Sequence, residues 1–268
     1  MASCLQTLTS QFENRQAMID YFSLLMPSDS APLSEMQGGM SNALTRISQL
    51  NLEAYSRDRN YLTGHVSRLS PYIRHGLLSV ADLNGTLAQQ YPASVRARFI
   101  QQLAWRDYFH QMHSARPTQV WQDAETYKTG FSAKDYAQAL PEDIALGQTG
   151  IKLIDQLIDQ LLTQGYLHNH ARLYLASYVV HWRRVAWQVG ARWFLVHLLD
   201  GDIASNNYSW QWVASTFSAK PYIFNLDNLR RFAGETLDCD HPTNALFDAS
   251  YEALAEQLFP YLTSEANG

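Results

Sequence analysis

Between Thr149-Gly150 and Gly165 the chain sets Ile151, Ile154, Leu157, Ile158 and Leu161 three or four residues apart, with aspartates and glutamines between them. That spacing is the roughly 3.6-residue period of an amphipathic helix. Gly165 suits the left-handed residue that ends one. The pattern recurs along the chain. Pro92 and Ser94 open a long run that carries Val95, Phe99, Leu103 and Tyr108 to about Met112. Ser41 stands where a cap would start a helix through Leu44, Ile47, Leu50 and Leu52 towards Tyr55. Ser70-Pro71 reads as another start, because proline is tolerated in the first helical turn. Further helices are expected over His168 to Gln188, Ala191 to Leu199, Ser205 to Thr216 and Phe247 to Leu258, with 114–146 irregular.

No strand-length alternation of apolar and polar residues stands out, and Gly38-Gly39 is no dinucleotide-binding turn. The expected fold class is therefore all-α. Residues 1–40 read as a helical extension and linker. It is weakly amphipathic at Phe12, Ile19, Phe22 and Leu25, then rich in Pro, Ser and Gly from Pro27 to Gly39. Residues 41–268 read as one helical domain.

Composition narrows the function. A net charge of −5 argues against coating nucleic acid by charge alone, although a local basic groove is compatible with it. Two cysteines, Cys4 and Cys239, cannot build a disulfide framework or a four-cysteine cluster. No apolar run reaches membrane-span length and no secretory signal opens the chain, so a soluble cytoplasmic protein is expected.

The stretch Asp200-Gly201-Asp202-Ile203-Ala204-Ser205-Asn206-Asn207-Tyr208-Ser209-Trp210-Gln211-Trp212 holds the densest chemistry. Buried carboxylates need partners, and a solvated loop has little use for two tryptophans. The stretch reads as a site for a large, flat, hydrogen-bonding ligand. Arg106 and Arg172 are either solvated or form a charge-balanced set with Asp200 and Asp202. Ser67 and Ser70 are either helix caps or an anion cradle. His168, His170 and His181 are spaced by two and eleven residues; two apart points to opposite helix faces and no Glu-x-x-His pattern lies near, so no metal site is expected. Trp182, Trp187, Trp193, Trp210 and Trp212 are core residues or an electron path.

Ser67-Arg68-Leu69-Ser70-Pro71-Tyr72-Ile73-Arg74-His75-Gly76-Leu77-Leu78-Ser79 resembles the flavin-binding segment of DNA photolyases and cryptochromes. So do Leu103-Ala104-Trp105-Arg106-Asp107-Tyr108-Phe109, Thr149-Gly150, His168-Asn169 with Arg172, and the stretch from Asp200 to Trp212. The likeness spans roughly residues 41–234. It implies a helical FAD-binding domain of the photolyase/cryptochrome type, without the α/β antenna domain, since only 66 residues precede Ser67. FAD would be held by Tyr55, Ser67, Arg68, Leu69, Ser70, Arg106, Asn169, Arg172, Asp200 and Asp202. Asn206 would face the flavin nitrogen that is protonated on reduction. Trp210 and Trp187 match the proximal and middle members of a photoreduction chain. Gln102, Trp105, Leu173 and Trp212 would meet a flipped-out pyrimidine dimer.

The departures are as specific. Val66 stands for a usual threonine, Gln102 for the glutamate that bonds the lesion, and Leu173 for a methionine. Trp182 stands where an aspartate usually pairs with the Arg172 equivalent. No tryptophan lies between Trp121 and Trp182 to serve as the distal donor, which leaves Trp182, Trp193, Tyr174 or Tyr178. The resemblance implies light-driven repair of UV-damaged DNA. DNA affinity would need phosphate contacts, for which His170, Lys220, Arg230 and Arg231 are candidates. The alternative is a cryptochrome-like sensor that signals to a protein partner. A third reading, a helical protein that no longer holds FAD, conflicts with so many retained flavin contacts.

Overall fold

A computed structural model of the chain describes residue 9, residues 11–25 and residues 34–262. Cys4, the first part of the linker stretch and the last six positions lie outside the described residues. The chain divides into two compact units, Met1–Leu33 and Ser34–Gly268. In the first, helix α1 (Arg15–Leu25) carries Tyr21 and Phe22, which pack on Phe12 at ring-centroid distances of 5.4 and 5.8 Å.

The second unit is helical. Its elements are α2 (Met40–Ser48), α3 (Leu52–Asp58), α4 (Ser70–Arg74), α5 (Val80–Gln90), α6 (Ala93–Ala115), α7 (Glu142–Ala145), α8 (Lys152–Gln164) and α9 (Asn169–Ser177). After a π-helical turn (Tyr178–Trp182) come α10 (Trp187–His197), α11 (Ile203–Ala214), α12 (Leu226–Ala233) and α13 (Tyr251–Leu258). Among the described residues the only β pairing is an isolated bridge between Ala137 and Val185. No helix among them is long and apolar enough to cross a membrane.

The core has two parts. α8 buries Leu153, Ile154, Leu157, Ile158 and Leu161 in a core cluster that also holds residues of α9, α10 and α11, and each such side chain contributes on the order of 2 kcal/mol. Gly165 closes α8 in the left-handed conformation at φ 61°. The other part joins Ala43 and Ile47 of α2, Leu52 and Tyr55 of α3, Leu83 and Leu87 of α5, and Phe99 and Leu103 of α6. Tyr108, expected on the buried face of α6, is exposed, because that helix buries only Phe99 and Leu103.

Four expected boundaries differ. The helix expected from Ser41 to Tyr55 is two helices. Ser41 lies inside α2, and Asn51 breaks the run by accepting a hydrogen bond from the Ala54 amide to cap α3. The helix expected from His168 to Gln188 ends in the π turn. There Ala137 N–H donates to Arg184 O at 2.7 Å and Ala186 N–H donates to Ala137 O at 2.9 Å, so a distant segment draws the backbone out of the helix. Arg184 takes φ 50°, and α10 therefore starts at Trp187 rather than Ala191. Phe247 belongs to a 3-10 turn, and Ser250 caps α13. Helices α5 and α12 were not expected; Ser79 and Asn225 cap them by accepting from the Asp82 and Asn228 amides.

Candidate functional site

A cleft of about 1230 Å³ runs between the two core clusters. α3, α4 and α6 supply one wall through Tyr55, Ser70, Ile73, Phe99 and Leu103, and α9, α10 and α11 supply the other through Ala176, Phe194, Trp210 and Val213. That volume suits a ligand larger than most drug-sized molecules.

Most of the residues singled out in the sequence meet here. Tyr55, Ser67, Leu69, Ser70, Gln102, Trp105, Arg106, Asn169, Arg172, Leu173, Asp200, Asp202, Asn206, Trp210 and Trp212 all line the cleft. Two do not. Arg68 lines a second, smaller cavity and sets its guanidinium 5.7 Å from the Tyr166 ring centroid. Its own φ of 50° turns the side chain away while the neighbouring Ser67 and Leu69 face the cleft. Trp187 is fully buried behind the cleft wall.

The charged groups on the floor are paired. Arg172 Nη2 donates to Asp200 Oδ2 at 2.8 Å, and Arg172 Nε donates to Leu167 O at 2.9 Å. Burial alone would push the Asp200 carboxyl up. The adjacent Arg172 guanidinium and its hydrogen bond outweigh burial and hold the group below the usual carboxylate range. Arg172 thus has its carboxylate partner. Trp182 does not replace it but packs against Phe224 and Phe247, at 5.0 and 5.3 Å between centroids.

Asp202 caps α11 by accepting from the Ser205 amide at 2.8 Å. Its other oxygen faces His110 Nε2 at 2.7 Å and Arg106 Nη2 at 3.6 Å. His110 was missed in the sequence; its one signal is its place a helical turn after Arg106 on α6. Asn206 spends both amide hydrogens inside the protein, on Ala191 O and Asn207 Oδ1, each at 3.0 Å. Its carbonyl oxygen is the atom left for a ligand, so Asn206 offers an acceptor rather than a proton.

Other expected roles change. His170 lines the cleft, but burial first and the Arg59 charge second lower its ring to about 4, so it brings no positive charge near neutrality. Arg230 is engaged by Asp240 at 3.0 Å and Asp227 at 3.6 Å. The ring beside Trp187 is Trp121, parallel to it within 4° at 6.3 Å. Tyr174, Tyr178 and Trp193, considered as distal donors, pack on Phe224, Phe247 and Phe194. Among the described residues no cluster of His, Cys, Asp or Glu is arranged to hold a metal.

The donor set fits a polar, planar ligand. Asp200 Oδ1, Ser205 Oγ and Trp210 Nε1 are buried on the cleft wall without a protein partner. Polar atoms so placed cost free energy unless a ligand satisfies them. Trp105 and Trp212 remain 50% and 43% exposed at the same cleft, which is where a second aromatic surface can stack.

The family model for the FAD binding domain of DNA photolyase matches residues 99–240, more than half of the 268 residues. A deoxyribodipyrimidine photo-lyase of Streptomyces griseus is 39% identical over 151 residues, 56% of this chain and 32% of that protein. The chain spans about a third to two fifths of the length of the curated relatives it matches. A class III photolyase structure from Agrobacterium tumefaciens shares the fold with a TM-score of 0.65 at 22% identity, covering 86% of this chain and 56% of that one. A cryptochrome structure from Synechocystis does so with a TM-score of 0.64 at 21% identity, covering 88% and 48%. With a cleft whose buried polar atoms await a planar ligand and a family match across the helices that build it, the chain belongs to the family of the FAD-binding domain of DNA photolyase, and FAD is its cofactor.

Proposed function

We propose that the cleft holds FAD for light-driven electron transfer to a pyrimidine dimer in DNA, the chemistry of a photolyase-like lyase. When bound, FAD supplies a light-absorbing redox centre. The chain's own residues do the rest. Arg172 and Asp200 present a charge-balanced floor with one carboxylate oxygen free to accept a hydrogen bond. Arg106 is placed with Asp202 and lines the cleft, and Ser67, Leu69, Ser70, Asn169 and Tyr55 complete the walls. Asn206 offers its carbonyl oxygen. Trp210 lines the cleft, Trp187 is buried outside its lining, and in this reading the two pass electrons inward.

One observation carries the substrate half of this reading. Trp105 on α6 and Trp212 on α11 are exposed large aromatics at one cleft, with Gln102 and Leu173 beside them. Two exposed indoles can pack on the two rings of a flipped-out dimer, and a dimer already distorts its stack and costs less to extrude. Gln102 donates and accepts through its amide but has no acidic proton to give. The test is to illuminate the reduced, FAD-loaded protein with a dimer-containing oligonucleotide. Thymines restored in light and not in darkness support the reading; no restoration over the dark control sinks it.

A second reading is a cryptochrome-like sensor with a protein partner. Gln102 and Leu173 at the substrate wall favour it, as do a neutral His170 and an Arg230 already engaged by aspartates. Lys220 and Arg231 are then the cations left from the expected phosphate contacts. A salt-sensitive preference for UV-damaged over intact DNA favours repair, and equal weak binding to both favours sensing.

A further inference from the structure

We propose that Asp123 is the proton acceptor for oxidised Trp187, so that a hole leaving the cleft comes to rest as a neutral indolyl radical at Trp187. The proposal rests on the photoreduction reading above, in which Trp210 and Trp187 carry electrons towards the cleft.

Geometry carries it. Trp187 is fully buried, and its Nε1–H donates to Asp123 Oδ1 at 2.6 Å. Gln188 Nε2 donates to the same oxygen at 3.2 Å and fixes the carboxylate against the indole. Asp123 is only partly buried, so a proton that it takes can pass on to water. The bare Cα of Gly190 lets the Trp210 ring lie on α10, one turn from Trp187.

Electrostatics decides where the hole stops. The parallel ring of Trp121 offers the next step outward. The Arg192 guanidinium, however, sits 4.6 Å from the Trp121 centroid and raises the energy of a cation radical there. The Asp123 carboxylate lowers it at Trp187. The other neighbouring rings, Tyr127 and Tyr136, stack at 4.3 Å, but a phenol must lose its proton when oxidised. Tyr136 pairs with the Thr129 hydroxyl, which is no base, and burial and Asp123 push the Tyr127 phenol up.

The step balances. With FAD bound, one electron would leave Trp210 for the light-excited cofactor, and one electron from Trp187 would refill Trp210. The Trp187 N–H bond breaks and an Asp123 O–H bond forms, turning a cation and a carboxylate into a neutral radical and a carboxylic acid. A dissolved thiol, as one-electron reductant, returns the electron, and the proton comes back from Asp123.

Flash photolysis of the FAD-loaded protein tests this, because cation and neutral tryptophan radicals absorb differently. The wild type is expected to form the neutral radical at a rate that falls in deuterated water. Asp123→Asn keeps an acceptor for the indole N–H but no base, and should slow deprotonation about a hundredfold and leave the cation to recombine. In the same holoprotein, the Trp187 indole N–H resonance should lie downfield and move upfield in Asp123→Asn, which reports the hydrogen bond without light. A neutral radical formed equally fast in Asp123→Asn overturns the proposal while leaving the relay intact. Unchanged photoreduction in Trp187→Phe overturns the relay reading itself.

Discussion

Gly190 lies directly under the indole of Trp210: a Cβ at position 190 would come within 2.3 Å of Cη2 and 2.4 Å of Cζ3. Both partners are buried, and Phe194 meets the same indole edge-on at 4.8 Å, so the ring has nowhere to retreat. Gly190→Ala is therefore expected to destabilise the fold by about 1–3 kcal/mol through overpacking, despite the better helix propensity of alanine. Urea denaturation measures it. The companion Gly85→Ala, on α5, meets nothing within 4 Å and should stabilise slightly. Equal stability of Gly190→Ala and the wild type would mean that Trp210 does not sit on α10.

The Arg172–Asp200 pair lends itself to a separation of stability from ligand binding. Asp200→Ala strips a partly buried guanidinium of its buried counter-ion and should cost about 2–3 kcal/mol. Arg172→Met with Asp200→Leu removes both charges and should recover most of that loss. Flavin retained after purification should stay low in both variants, because the free Asp200 oxygen is gone. A double variant that recovers stability and flavin together would remove this pair from the cofactor site.

His181 makes acid stability predictable. Burial lowers its ring from the usual 6.5 to about 4, against a smaller opposite pull from its hydrogen bond to Val213 O at 2.9 Å. The folded state thus holds this histidine neutral where the unfolded chain protonates it. Between pH 6.5 and about 4 the unfolded state binds more protons, so stability falls as pH falls through that window. Over the full window the contribution is on the order of 3 kcal/mol. His181→Gln should lose about 2 kcal/mol less than the wild type between pH 7 and pH 5, measured by urea denaturation at each pH. Parallel pH dependences would assign the acid sensitivity elsewhere, with His168 and His170, also lowered to about 4, the next to replace.

What could be read in advance, and what could not, follows the range of the interactions. α8 was legible from Ile151 to Gly165 because its period and its stop signal are local. The stretch from Asp200 to Trp212 was legible as a site because its residue types conflict with both a loop and a core. The relations that complete that site are not local. Trp187 bonds to Asp123 across 64 positions, and His110 meets an aspartate on another helix. The π turn after α9 depends on backbone bonds to Ala137, which no window around Tyr178 contains. Gly190 looks like a helix-weakening residue until Trp210 is placed on it. Even Tyr108 misled for a physical reason: a cleft wall keeps helical periodicity but leaves the face open.

Trp105 and Trp212 bear on the substrate alone. Trp105 leans on Tyr108 and Phe109 at 5.9 and 5.8 Å, and Trp212 on Tyr222 at 5.5 Å, so each indole is held from behind with its outer surface free. Stacking of one base on such a ring is worth about 1–3 kcal/mol. Trp105→Ala and Trp212→Ala are each expected to weaken binding of a dimer-containing oligonucleotide about 10- to 100-fold at fixed salt. Flavin content should be unchanged, because the floor of the cleft is untouched. Trp105→Phe and Trp212→Phe should recover much of the loss, which a purely structural role would not distinguish from alanine's effect at exposed positions. Fluorescence titration of labelled damaged and intact oligonucleotides reads both. Wild-type affinity in both alanine variants would place the substrate away from these rings and turn the balance towards the sensor.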